Sequence, residues 1–260
     1  MTVLDKLADY ARERTEKEKR DLPFLEIRRQ AEALPKKNFE FENALKGDEI
    51  SFICECKKAS PSKGIIAPDF HYLEIAKDYE IAGADSISVL TEPKWFLGDD
   101  RYLSEIASNM SIPCLRKDFT VDEYMIYKAR LLGASAVLLI CSILDEKQIK
   151  EYIAVCEMLG LSALVEAHDE NEIISAQKAG ARIIGVNNRN LKDFSVDTQN
   201  SARLKTLVSG DVLFVSESGV KTRNDIEKLI EINCDAVLVG ETLMRAKDKT
   251  AALKALKGIV

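Results

Sequence analysis

The residues best suited to chemistry in this chain are glutamates and lysines that close apolar runs. In SFICECKKASPSKG (51–64) the alternation of a strand puts Ile53, Glu55 and Lys57 on one face and Phe52, Cys54 and Cys56 on the other. A carboxylate and an ammonium at such a strand end are costly to bury unless they pair or serve a site. A rim ion pair and a functional site both fit this stretch taken alone. In PCLRKDF (113–119) the same alternation sets Leu115 and Lys117 against Arg116 and Asp118. In SALVEAH (162–168) Glu166 stands in an apolar run, either as a lysine's partner or as an acid–base group. Asn187-Asn188-Arg189, Ser216-Glu217-Ser218-Gly219 and Gly240-Glu241 close three further runs. An inward lysine facing inward glutamates is a candidate for general acid–base work.

These residues need elements that bring strand ends to one place. Strand-like runs fall at 51–57, 86–91, 113–118, 136–140, 163–167, 183–187, 212–217 and 236–240. Helical patterns lie between them at 72–82, 100–108, 121–132, 145–159, 169–179, 198–208 and 222–232, with a last helix from Thr242. Eight β-then-α units predict an α/β chain folded as a (β/α)8 TIM barrel, a fold of about 250 residues. An open doubly wound sheet is the competing architecture. It would carry a GxGxxG turn after the first strand, and none is present. Gly83, Gly133, Gly160 and Gly180 each follow a helical pattern, where a left-handed C-cap is required. Residues 1–47, with a helix over 3–20 whose apolar Val3, Leu4, Leu7, Ala8 and Ala11 suit one docked face, a shorter one over 24–34 and another segment at 39–45, read as an N-terminal helical extension; the dense charge run after Ala11 reads as a solvated face. Residues 48–260 then form the barrel domain.

A barrel gathers function at the C-terminal strand ends, where these polar groups lie. Ser218-Gly219 and Gly240-Glu241, after the seventh and eighth strands, are either two ordinary tight turns or a phosphate site built from backbone N–H groups. Lys57 across the mouth favours the phosphate, and Ser60 and Ser62 can add hydroxyl contacts or cap their own turn. Trp95 and Phe96 after the second strand and Phe119 after the third offer an aromatic wall. A ligand with a phosphate at one end and an aromatic ring at the other would use both features.

Composition narrows the alternatives. A hydrophobic share of 46% with 31% charged residues is that of a globular chain and not a disordered one. The net charge of -6 disfavours a nucleic-acid surface, so an anionic ligand must be held by individual cations. No run has the length of a membrane span or a signal-peptide core, so the expectation is a cytoplasmic protein without a membrane partner. The six cysteines sit in apolar runs, without disulfide or zinc spacing. His71 and His168 are the only histidines, too few for a metal site; His168 more naturally caps or orients the loop after the fifth strand. No metal and no cofactor are expected. The oligomeric state leaves no mark in the sequence, and a monomer is the default.

Seven motifs, ICECKKASPSKG, SVLTEPKWF, PCLRKDF, LVEAH, GVNNRNL, VSESG and VLVGETLM, occur in the order found in indole-3-glycerol phosphate synthases. The chain resembles that family over residues 50–245, and the helical extension is similar too. The resemblance implies ring closure of 1-(2-carboxyphenylamino)-1-deoxyribulose 5-phosphate, with loss of carbon dioxide and water. It implies Lys117 as a general acid and Glu166 as the base or electrostatic partner in dehydration. Lys57, paired with Glu55, would contact the substrate and share the acid role. Asn187 and Glu217 would position sugar hydroxyls and the lysines, while Arg189, Ser60 and Asn187 would handle the anthranilate carboxylate and its surroundings. Ser218, Gly219, Gly240 and the Glu241 backbone would hold phosphate, and Phe96, Phe119 and Leu138 would form the hydrophobic pocket. Cys54 and Cys56 depart from the family's usual apolar residues, on the helix-facing side. A phosphoribosylanthranilate isomerase would share barrel and phosphate site without needing Glu55, Lys57, Lys117 and Glu166 together, and a non-catalytic metabolite sensor would need no acid–base group.

Overall fold

Alternate residues of each apolar run meet two different apolar surroundings, the barrel interior and the outer helices, which is why every run becomes a strand. The computed structural model describes residues 2–190 and 195–259, so Leu191, the last residue of GVNNRNL, lies outside them. The barrel strands are β1 (Ser51–Cys56), β4 (Ser86–Leu90), β5 (Cys114–Lys117), β6 (Ala136–Ile140), β7 (Ser162–Ala167), β8 (Ile183–Asn187), β9 (Leu213–Glu217) and β10 (Ala236–Val239). They close in the order β1-β10-β9-β8-β7-β6-β5-β4, with β4 pairing back onto β1 and every pairing parallel. Inside lie Ile53, Leu115, Ala136, Leu138, Leu164, Ile183, Val215 and Leu238, while Phe52, Cys54, Cys56, Val89, Val137 and Val165 face the helices. The expected (β/α)8 barrel is the observed fold.

The outer helices are α4 (Tyr72–Ile81), α5 (Asp100–Asn109), α6 (Glu123–Leu131), α7 (Glu146–Leu159), α8 (Glu170–Lys178), α9 (Gln199–Lys205), α10 (Arg223–Glu231), α11 (Glu241–Arg245) and α12 (Lys249–Lys257). Asp99, Asp122, Asp145, Asp169 and Thr222 accept first-turn N–H groups as N-caps, which starts each helix at or just after those side chains. The four expected C-cap glycines all have positive φ. The last helix is two and not one: Ala246 is extended and Asp248 caps a new start at Ala251 N–H (2.8 Å). ASPSKG is more than a turn, since β2 (Ala59–Ser60) and β3 (Gly64–Ile65) form a small antiparallel hairpin above the barrel.

The chain before β1 forms α1 (Val3–Asp21), α2 (Phe24–Glu32) and α3 (Glu40–Ala44). Leu4, Leu7, Ala8 and Ala11 of α1 join the interior cluster that contains Phe119, Leu138 and Ile140, so α1 lies over the C-terminal mouth. The charge run of α1 is not simply solvated. Arg14 Nη2 donates to both oxygens of Asp118 (2.8 Å each), and Lys19 and Glu18 pair with Asp122 and Lys128 (2.7 and 2.8 Å). At the other end, Phe41 and Leu45 are fully buried in the same cluster, and Glu42 N–H donates to Ser162 Oγ (3.1 Å). Thus α1 covers one end of the barrel and α3 stops the other.

Candidate active site

At the top of the interior, strand ends place three carboxylates around two ammonium groups. Glu55 of β1 pairs with Lys57 just beyond it, and Lys117 at the end of β5 reaches across the mouth to Glu217 Oε2 on β9 (2.5 Å) and Glu166 Oε2 on β7 (3.6 Å). The register between β8 and β9 sets Asn187 beside Glu217. Asn187 Oδ1 accepts from the Arg189 N–H (3.0 Å), fixing the start of the next loop. Gly185 and Gly240 are small because the carboxylates need their space: a Cβ at either would overlap Glu217 or Glu55.

Burial alone would neutralise these charges, so their mutual distances decide their state. Burial penalises the Lys117 ammonium, but Glu217, Glu166 and Glu55 outweigh it and hold the lysine above its ordinary range. Burial pushes the Glu55 carboxyl up, and Lys57 and Lys117 more than offset this, leaving it below the usual range. Glu217 goes the other way: burial, together with the neighbouring Glu166 and Glu55, overrides Lys117 and pushes it up to about 7. One ammonium stabilised by three carboxylates gains proton affinity, and the carboxylate left in excess gains it too.

Beside this cluster a cavity of about 720 Å³ opens towards solvent. All the expected site residues line it: Glu55, Lys57, Lys117, Glu166, Asn187 and Glu217 in the charged floor, Ser60 and Arg189 at the rim, Phe96, Phe119 and Leu138 on one wall, and Ser218, Gly219, Gly240 and Glu241 on the other. The rings of Phe96 and Phe119 lie 6.0 Å apart. The loop presenting Phe96 is wound around the fully buried Glu92, which accepts the N–H groups of Lys94, Trp95 and Phe96 (2.8–2.9 Å). Trp95 is not part of the wall: its ring packs edge-on against Tyr10 of α1 (5.5 Å).

On the far wall, Ser218 and Gly219 take consecutive left-handed conformations (φ 68° and 96°), a turn that bares backbone N–H groups to an anion. Asn188 secures it from below by donating to Ser218 O and Ser216 Oγ (3.1 Å each). Thr242 Oγ1 ties the β10 loop to Val220 O (2.6 Å). Lys63, Lys221 and Arg245 add positive charge to the lining; Arg245 and Lys63 reach Glu241 at 3.0 and 4.0 Å. Sequence reasoning missed Glu92 and these cations, gave Asn188 no role of its own, and did not place Val3, Leu4 and Leu7 of α1 at the cavity they line. The apolar spacing of residues 3, 4 and 7 marked a docked face without showing what it docks on. Among the described residues no cluster of three or more His, Cys, Asp or Glu is arranged to hold a metal, and no helix is long and apolar enough to cross a membrane.

A closed (β/α)8 barrel with half-buried lysines among buried glutamates at its C-terminal rim defines a barrel enzyme. The solved structure of 3-hexulose-6-phosphate synthase matches with a TM-score of 0.64 at 16% identity, over 81% of this chain and 100% of that one, a likeness of fold. The indole-3-glycerol phosphate synthase family model matches residues 4–256. The chain is 56% identical over 257 residues to the indole-3-glycerol phosphate synthase of Ruminiclostridium cellulolyticum, covering 98% of this chain and 99% of the relative. It is 52% identical over 256 residues to that of Endomicrobium trichonymphae, with 98% and 99% covered. The chain belongs to the indole-3-glycerol phosphate synthase family, and its activity is that of a carboxy-lyase of tryptophan biosynthesis.

Proposed function

We propose that the cavity binds 1-(2-carboxyphenylamino)-1-deoxyribulose 5-phosphate and converts it to indole-3-glycerol phosphate in the cytoplasm, with residues 1–47 as an N-terminal helical extension and 48–260 as the catalytic barrel. The observation that carries the site assignment is the placement of Lys117 between Glu217 and Glu166 at the floor of a cavity with an aromatic wall on one side and an anion-binding turn on the other. The aryl group lies against Phe96, Phe119 and Leu138, with its carboxylate towards Arg189, Ser60 and Asn187. The phosphate lies on the turns at Ser218-Gly219 and Gly240-Glu241.

In the first step the aryl carbon bearing the carboxylate bonds to the ketone carbon, and the ketone oxygen takes a proton from Lys117. A lysine held above its ordinary range still suits this donation, because the developing alkoxide is more basic than the amine. The carbon–carboxylate bond then breaks, carbon dioxide leaves, and the ring recovers its aromatic electrons. In dehydration the hydroxyl departs as water with a proton from the lysine cluster, in which Lys57 shares the acid role. Glu166 takes the proton of the adjacent methylene, and the indole double bond forms. Glu55 and Glu217 hold the two lysines in place.

The test is to supply purified protein with the carboxyphenylamino-deoxyribulose phosphate and follow indole fluorescence. Product is expected, and Lys117→Ala should lower kcat by about 100-fold or more. No indole signal from the unmodified protein would overturn the reading.

A further inference from the structure

Behind Glu166, away from Lys117, the ring of His168 lies between two carboxylates. Its Nε2 is 3.4 Å from Glu166 Oε1, and its Nδ1 is 3.2 Å from Glu172 Oε2 on α8. Glu172 is itself fixed, accepting from Ser142 Oγ (2.5 Å) at one oxygen and from the His168 N–H (2.7 Å) at the other. Because the single Ser142 hydroxyl proton points to Glu172, the Ser142 oxygen presents lone pairs to Nδ1 at 3.3 Å. Nδ1 therefore faces only acceptors. So does Nε2, which is buried and makes no hydrogen bond among the described residues.

A neutral imidazole has one N–H and one lone pair, so either tautomer would aim a lone pair at a carboxylate. A proton on each nitrogen gives a hydrogen bond to Glu172 on one side and an ion pair with Glu166 at 3.4 Å on the other. We infer that His168 is a positioning residue: as an imidazolium clasped between Glu172 and Glu166, it turns one Glu166 oxygen to itself and leaves the other to Lys117. This rests on Glu166 being the proton acceptor proposed above.

The groups around the ring are Glu166 from β7, Glu172 from α8, Cys141 and Ser142 from the loop after β6, and the Asn200 amide of α9 on the His168 carbonyl (3.3 Å). Lys117 and Glu217 lie beyond Glu166. Burial opposes a charged ring, but the bond to Glu172 and the charges of Glu166, Glu172 and Glu217 outweigh it and hold His168 above the ordinary histidine range. A base held above that range keeps its charge through it and loses it only as pH rises further. The clasp is thus complete below the ordinary histidine range and is released only as pH rises above it.

Two measurements test this. With two histidines in the chain, His71→Gln leaves one ring, and nitrogen-15 NMR is expected to show both its nitrogens protonated at pH 6, with the neutral form appearing only at a pH above the ordinary histidine range. A neutral ring at pH 6 would overturn the inference. In kinetics, His168→Ala should lower kcat about tenfold with KM changed less than twofold, the scale of a small misplacement of a reacting group. His168→Gln, which restores a donor without the charge, should recover part of kcat and lack the alkaline decline of the unmodified enzyme. It also serves if the alanine variant does not fold. Unchanged kcat in both variants would equally overturn the inference. An unmodified protein that makes no product would sink the proposed function instead, while the ring's NMR signature would still decide the clasp.

Discussion

Glu217 is the residue whose state depends most on its neighbours. One oxygen meets Lys117 at 2.5 Å, and the other is buried without a hydrogen-bond partner among the described residues. Its carboxyl is pushed from 4.5 up to about 7, so between those values the folded chain keeps a proton that the unfolded chain has lost. Its contribution to stability therefore falls as pH rises from about 4.5 to about 7 and is level above that. The span amounts to something on the order of 2–3 kcal/mol. Glu217→Gln, which cannot ionise, should gain stability relative to the unmodified chain by about that much between pH 5 and pH 8, read from urea midpoints. An equal difference at both pH values would contradict the argument. That Glu217 closes an apolar run was legible in the sequence, because the hydrophobic pattern is a local property. That it meets Lys117, a hundred residues earlier, depends on barrel closure and stagger, which no local pattern encodes.

Among the elements, α1 was legible as a helix but not in what its charges meet. Its apolar face was visible at Leu4, Leu7, Ala8 and Ala11, but its charges read as solvated although Arg14 docks on a buried carboxylate. Charged helices look alike in sequence whether their partners are water or a barrel rim. Removing Arg14 leaves Asp118 with Arg116, Thr91 and the Phe119 N–H as remaining partners. Arg14→Ala is expected to cost about 2 kcal/mol, less than a fully orphaned buried charge. It should also raise KM, because α1 carries Val3, Leu4 and Leu7 to the cavity. Hydrogen exchange should quicken along α1; unaltered protection there would refute the tether. The barrel strands were legible to within a residue or two because eight repeats of one pattern reinforce each other. The hairpin at β2 and β3 was not, since two-residue strands have no period to detect.

At the scale of the whole molecule, the barrel keeps chemistry and support at opposite ends. Phe41 is fully buried at the closed end, far along the strands from Lys117. Phe41→Ala should lower stability by about 3–5 kcal/mol, as expected for an emptied aromatic site. The protein that remains folded should keep kcat and KM within twofold; a large kinetic effect would mean that the two ends are coupled. The segment between α1 and α3 passes outside the barrel, with the Phe24 ring against Tyr127 (5.8 Å) and the Lys37 and Phe39 N–H groups on the carbonyls of Leu159 and Gly160 (3.1 and 3.0 Å). That path has a consequence for synthesis on the ribosome. The helices made first are among the last to find their places: α1 needs Asp118, Phe119 and Leu138, and α3 needs Ser162 and Arg182. At translation rates of about 5–20 residues per second, α3 waits on the order of ten seconds for Arg182 to be made. For that interval Leu4, Leu7 and Phe41 are apolar side chains without a barrel, and a nascent chain at that stage is one that a chaperone can grip.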